Sequence, residues 1–154
     1  MIRSEQEYQA TLRRIKAAQE SLDSESARLA SLNLSREEIK RALDPMRSFR
    51  AQLVEEAETY ERLKRGQFEE LSNFSGLGRL LVALRIYRGM TQRDLARKLG
   101  VDESQVSRDE RNEYHGITVE RAGKTLEALG VELTTHVERV EVIDSDPATD
   151  FAVR

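Results

Sequence analysis

The chain has 154 residues, with 25 Lys and Arg against 28 Asp and Glu for a net charge of −3, 34% charged and 5% aromatic residues, and neither Cys nor Trp. The missing cysteine excludes a disulfide framework, thiolate chemistry and cysteine-ligated zinc and fits a cytoplasmic setting, and no stretch approaches the roughly 18 apolar residues that suggest a membrane span. The start, Met1-Ile2-Arg3-Ser4-Glu5, lacks the apolar centre of a signal peptide, and a mildly negative total does not by itself suggest a nucleic-acid partner.

None of the eight glycines precedes Gly66, and Pro45 is the one proline before the C-terminal tail, so a compositional boundary falls at Arg65-Gly66. Residues 1–66 read as two long helices. In the first, Tyr8, Ile15, Leu22 and Leu29 recur every seven residues, with Leu12 between the first pair and polar Gln19 and Ser26 at other seam positions. Ser35 is placed to cap the second helix, with Glu38 as its capping-box partner and Leu34 stapled to Ile39. Ile39, Met46, Leu53 and Tyr60 then recur every seven residues, with Leu43, Phe49 or Arg50, Ala57 and Lys64 between them. Pro45 either kinks this helix or, with Asp44 as a cap, starts a new one. Lys64 and Arg65 suit the C-terminal dipole and Gly66 the position just past the end. Two such stripes imply a helical hairpin, or helices pairing between subunits as a coiled coil; a solvated spacer and a partner-binding surface both fit. Residues 67–76 are a linker or a short connecting helix.

Shorter helices follow. Leu77, Leu80, Leu81, Leu84 and Tyr87 form a helical stripe that ends at Arg88-Gly89. Thr91 caps a helix from Gln92 to Leu99, with Asp94 closing a capping box and Met90 stapled to Leu95. After Gly100, Asp102 caps a third helix, with Gln105 as the box partner and a Val101–Val106 staple. Thr118 caps a fourth, with Val119, Ala122, Leu126 and Leu129 facing inward and Gly123 marking close helix packing. The two helices joined by a short turn at Gly100 are a helix-turn-helix unit. From Val131 an alternation of period two predicts a strand over 131–143 that needs a partner across a dimer, a fraying tail being the plainer alternative. Residues 144–154 read as a flexible tail. His115 and His136 have no second ligand at metal spacing, and the sequence carries no cofactor motif or catalytic constellation, so an enzyme is not expected.

Over about Leu80 to Val131 the chain resembles the Cro-like, XRE-type helix-turn-helix regulators. The resemblance is carried by Arg85-x-x-Arg88-Gly89-x-Thr91-Gln92-x-x-Leu95-Ala96-x-x-Leu99-Gly100-Val101, by Val106-Ser107-Arg108-x-Glu110, and by the closing Leu126-x-x-Leu129-Gly130-Val131. One departure is Asp109, where an apolar or aromatic residue is usual; it either loosens the end of the recognition helix or points to solvent beside Arg111. The resemblance implies double-stranded DNA as partner. Glu103, Ser104, Ser107 and Arg108 would then read bases in the major groove, Gln92 would anchor a phosphate, and Arg93 and Arg97 would lie along the backbone. A packing-only or protein-binding use of the unit is the plainer alternative.

The expected protein is thus mainly α: a helical hairpin or coiled coil (1–66), a linker (67–76), a helix-turn-helix DNA-binding domain (77–130), a strand (131–143) and a tail (144–154). Its expected function is that of a sequence-specific transcriptional regulator, a dimeric repressor. The segment Tyr60-x-x-Leu63-Lys64-x-Gly66 ahead of such a domain is similar to antitoxins of toxin–antitoxin modules, so a toxin protein is the alternative partner. A third reading makes the hairpin a dimerisation device alone. Residues 77–111 carry 8 basic against 5 acidic groups, and local charge, not the chain total, sets attraction to phosphate.

Overall fold

The computed structural model describes residues 1–72 and 74–138. It is built from helices α1 (Glu5–Ala30), α2 (Arg36–Lys64), α3 (Leu77–Tyr87), α4 (Gln92–Leu99), α5 (Glu103–Arg111) and α6 (Val119–Leu129). Among the described residues there is no strand, and no helix is long and apolar enough to cross a membrane.

Local chemistry sets most of the boundaries. Ser4 caps α1 through the Glu7 N–H, and Ser35 and Glu38 close the expected capping box at the start of α2. The two helices, 26 and 29 residues long, run antiparallel and span about 39 and 44 Å at 1.5 Å per residue. Opposite ends meet at the open end of the hairpin: Tyr8 stacks on Tyr60 at 5.0 Å, and Lys64 Nζ lies 3.0 Å from Glu5. Near the closed end, Leu22, Leu29 and Leu43 bury one another, with Ile39 and Met46 packed alongside. Pro45 neither stops nor restarts the second helix, which runs through it without interruption. Part of the seven-residue stripe is shifted: Thr11 is buried, while Leu12 and Phe49 are exposed. Leu34, the expected staple, is also exposed.

A second and larger core unites residues from both sides of Gly66. Ile2 and Tyr60 from the hairpin join Leu81, Val82, Leu84, Ile86, Leu95, Ala96, Val106, Tyr114 and Leu129. The described residues of 67–76 form no helix, and Ser72 and Ser75 pair in a single bridge there.

Several expectations are corrected. Val119 is 91% exposed rather than inward, and the buried positions of α6 are Ala122, Thr125 and Leu129. Close packing does not occur at Gly123, where an added methyl would meet nothing within 4 Å. It occurs at Gly78, where a Cβ would stand 1.7 Å from the Glu113 carbonyl oxygen. That carbonyl belongs to a turn in which Glu113 and Tyr114 both take positive φ, 50° and 52°, a conformation costing roughly 1–2 kcal/mol per non-glycine residue. The turn carries the Tyr114 ring into the core at 5% exposure. The strand expected over 131–143 is not formed in its described part: residues 131–138 have no regular structure and no ladder pairing, since a strand needs a neighbour and the described residues provide none. Residues 139–143 and the expected tail, 144–154, lie outside the described residues.

The two glycines should respond to substitution in opposite directions. Gly78→Ala must push the Glu113 turn away and should destabilise the fold by about 2–3 kcal/mol. Gly123→Ala, in an open helical position, should stabilise it by about 0.5–1 kcal/mol. Urea unfolding of both variants measures the difference, and equal effects would contradict the packing described.

Candidate nucleic-acid interface

The α4–turn–α5 unit is assembled from local rules. Thr91 Oγ1 accepts from the Asp94 N–H at 3.1 Å, and Asp94 Oδ2 accepts from the Thr91 N–H at 3.0 Å, so the expected capping box is present. At the other end of α4, Gly100 has φ 67°. The Val101 N–H reaches the Ala96 carbonyl at 3.0 Å and the Gly100 N–H reaches Arg97 at 3.3 Å, a Schellman closure that a left-handed glycine permits. Asp102 Oδ1 then accepts from the Ser104 N–H at 2.8 Å and starts α5. The expected box with Gln105 is absent, because the Asp102 side chain serves Ser104 and the Gln105 N–H bonds the Asp102 carbonyl instead. These hydrogen bonds hold both Asp94 and Asp102 below the usual carboxylate range. The caps therefore contribute above the unfolded carboxylate pKa and are lost as pH falls through the lowered folded values.

The inner faces of the two helices are Leu95, Ala96 and Val106, all buried, with Leu99 and Val101 partly so. The outer side carries most of the residues singled out in the sequence. Arg93 and Arg97 are exposed on α4, as are Glu103, Ser104 and Arg108 on α5, while Ser107 is half-buried. Arg93 Nε donates to Glu103 Oε2 at 2.8 Å and ties the starts of the two helices together. That contact raises the Arg93 pKa. Arg97 lies 3.5 Å from Asp94. Arg108 Nε donates to the Ser104 carbonyl one turn back at 3.3 Å, and among the described residues its guanidinium enters no ion pair.

Gln92 differs from the others. It is half-buried at the start of α4, and its Nε2 donates to Glu110 Oε2 at 2.8 Å. Glu110 is fully buried and pairs with Arg85, itself 2% exposed. Arg85 Nε bonds Glu110 Oε1, Nη2 bonds Glu110 Oε2 at 2.6 Å, and Nη1 bonds the Met90 carbonyl at 2.8 Å. This fork–fork pair fixes α3, the α3–α4 turn and α5 against one another. The sequence motif contains both residues, but their roles went unassigned. A signal existed: Arg85 stands four residues after buried Leu81, and Glu110 four after buried Val106. A charge on the apolar face of a helix requires a countercharge.

Asp109 is neither loose nor solvent-directed; it accepts from Arg121 Nη2 at 2.5 Å and ties α5 to α6. Two other cations serve the end of α6. Arg88 donates to the Gly130 carbonyl at 2.6 Å and Lys98 to that of Ala128 at 3.0 Å, which satisfies carbonyls a helix leaves open.

A short helix pair with a left-handed glycine turn, a buried ion pair behind it and exposed polar and cationic side chains in front makes a helix-turn-helix unit. Residues 81–135 match the helix-turn-helix family, and this part of the chain is similar to it. No curated protein and no solved structure matches the chain.

Removing one member of the buried pair should be severe. Glu110→Ala leaves the Arg85 charge unpaired in the interior and should cost about 3–5 kcal/mol in urea unfolding. The double change Arg85→Met with Glu110→Leu should cost clearly less, since no lone charge remains. A double variant at least as unstable as the single one would contradict this account.

Proposed function

We propose that the chain is a sequence-specific DNA-binding transcriptional regulator that acts as a dimeric repressor, with α5 in the major groove. The observation that carries this reading is the exposed set Ser104 and Arg108 on α5, beside Arg93 and Arg97 on α4, on a helix-turn-helix domain of a DNA-binding type. Arg108 suits bidentate recognition of guanine, and Ser104 and Ser107 suit contacts to neighbouring edges. Glu103 is held by Arg93 in the free protein, so it accepts from a cytosine amino group only if that pair opens or shifts. Gln92 and the first N–H groups of α4 suit a phosphate, and Arg93 and Arg97 suit the backbone on either side. A two-fold dimer would present two copies of α5 about 34 Å apart to a near-palindromic site.

Selection of bound duplexes from a random pool tests sequence preference directly. Arg108→Ala should cost about 1–3 kcal/mol and relax preference at one base position. Arg97→Ala should weaken all duplexes alike and reduce the salt slope by about 1. The same outcome from both variants would remove the distinction between base reader and backbone contact.

The antitoxin reading is supported by the hairpin, where Leu32 is 50%, Phe49 48% and Leu34 38% exposed. These apolar side chains offer a surface for a protein partner while the helix-turn-helix domain represses. The expected outcome is co-purification with the product of a small adjacent gene, lost in Leu32→Asp/Phe49→Asp. Failure to bind that product would leave repression as the sole activity.

A further inference from the structure

One contact of the buried ion pair leaves the helix-turn-helix unit altogether. Arg85 Nη2, which bonds Glu110 Oε2, also donates to the Arg3 carbonyl at 2.9 Å. The segment that carries this carbonyl is pinned on both sides. Ile2, 4% exposed, is part of the large core with Leu81, Leu95 and Val106. The Arg3 N–H donates to Glu7 Oε2 at 2.7 Å, and Ser4 Oγ accepts from the Glu7 N–H at 3.2 Å, so the first turn of α1 orients the Arg3 peptide. At the far end of the same chain of contacts, Glu110 Oε2 accepts from Gln92 Nε2 at 2.8 Å. A continuous path therefore runs from the Arg3 carbonyl through Arg85 and Glu110 to Gln92, with both middle groups buried. In so dry a setting each group can satisfy its neighbour in few orientations, so each fixes the next.

We propose that Ile2 and Arg3 form a positioning element of the DNA interface: they hold Arg85, which holds the Glu110 carboxylate, which sets Gln92 at the phosphate-facing start of α4. This rests on the DNA-binding reading above. It makes the first turn of the hairpin and the DNA interface one mechanical unit, although about 90 residues separate Ile2 from Gln92 in the sequence. A purely structural role for the segment would lower stability without acting through any one interface residue.

The test uses the full chain, a duplex selected from the random pool, and a temperature at which circular dichroism shows every variant folded. Ile2→Asp, which expels the segment, should weaken binding about tenfold, and Ile2→Val should stay within about twofold of the unaltered chain. In a Gln92→Ala background, Ile2→Asp should cost less than about threefold, because its target is already gone. If Ile2→Asp does not fold, Ser4→Ala/Glu7→Ala loosens the same segment without altering a buried side chain and gives the same comparison. Equal losses in both backgrounds, or none in either, overturn the proposal. A chain that prefers no duplex overturns the regulator reading instead. The segment is then read in the free protein from the Gln92 side-chain amide resonance, which the variants should shift; an unmoved resonance overturns the positioning role.

Discussion

The architecture depends on one buried contact, the fork between Arg85 and Glu110. Its value is geometric before it is energetic. Taking two charges out of water costs several kcal/mol per ion, which their attraction repays only when the remaining hydrogen-bonding groups are also satisfied. Here they are: Met90 and Arg3 supply carbonyls to the guanidinium, and Gln92 supplies a second donor to the carboxylate. Apolar packing alone would tolerate α5 sliding against α3. A bidentate pair admits a narrow range of positions, and it sets α5 to that tolerance.

Around this contact the charges divide by task. Residues 77–111 are net basic, but much of that charge is engaged within the protein. Arg85 is cancelled in the interior, while Arg88 and Lys98 cap the end of α6. Arg93 and Arg97 lean on Glu103 and Asp94 but remain exposed, and among the described residues Arg108 is held only by a backbone carbonyl. The unengaged cationic surface is thus smaller than the local charge count implies. Asp109, an unusual residue for its place in the motif, gives α5 a tether to Arg121 in α6 where packing would ordinarily serve.

The helix starts and stops of α2 to α6 were legible in the sequence almost to the residue, as was the helix-turn-helix turn. Each except the end of α5, which closes on Asn112 and the positive-φ Glu113, is decided within four residues by a cap or a left-handed glycine. The legible part of the candidate site was the exposure of the side chains on α4 and α5, which follows from the motif. Errors began where a partner lies far away in sequence. Val119 fits the apolar period of α6 yet faces solvent, because periodicity defines a face and not what meets it. Gly123 suggested close packing that in fact occurs at Gly78, because the element pressing on Gly78 is the Glu113 turn, which no local pattern reveals. The alternation after Gly130 suggested a strand, but pairing is a property of two segments, and the described residues hold only one.

By itself, then, the sequence determined the local elements of this protein: two long helices, the second with its cap, a glycine boundary at residue 66, and a helix-turn-helix unit with its outward side chains. These follow from short-range hydrogen bonding and steric rules that operate whatever the rest of the chain does. Only the tertiary structure decided which charges are internal and which face solvent, and that Ile2 and Arg3 cross onto the buried pair behind Gln92. The reason is that Arg85 on an apolar face signals the need for partners but not their identity. Glu110, Met90 and Arg3 become those partners only once packing excludes the water that would otherwise satisfy the same donors.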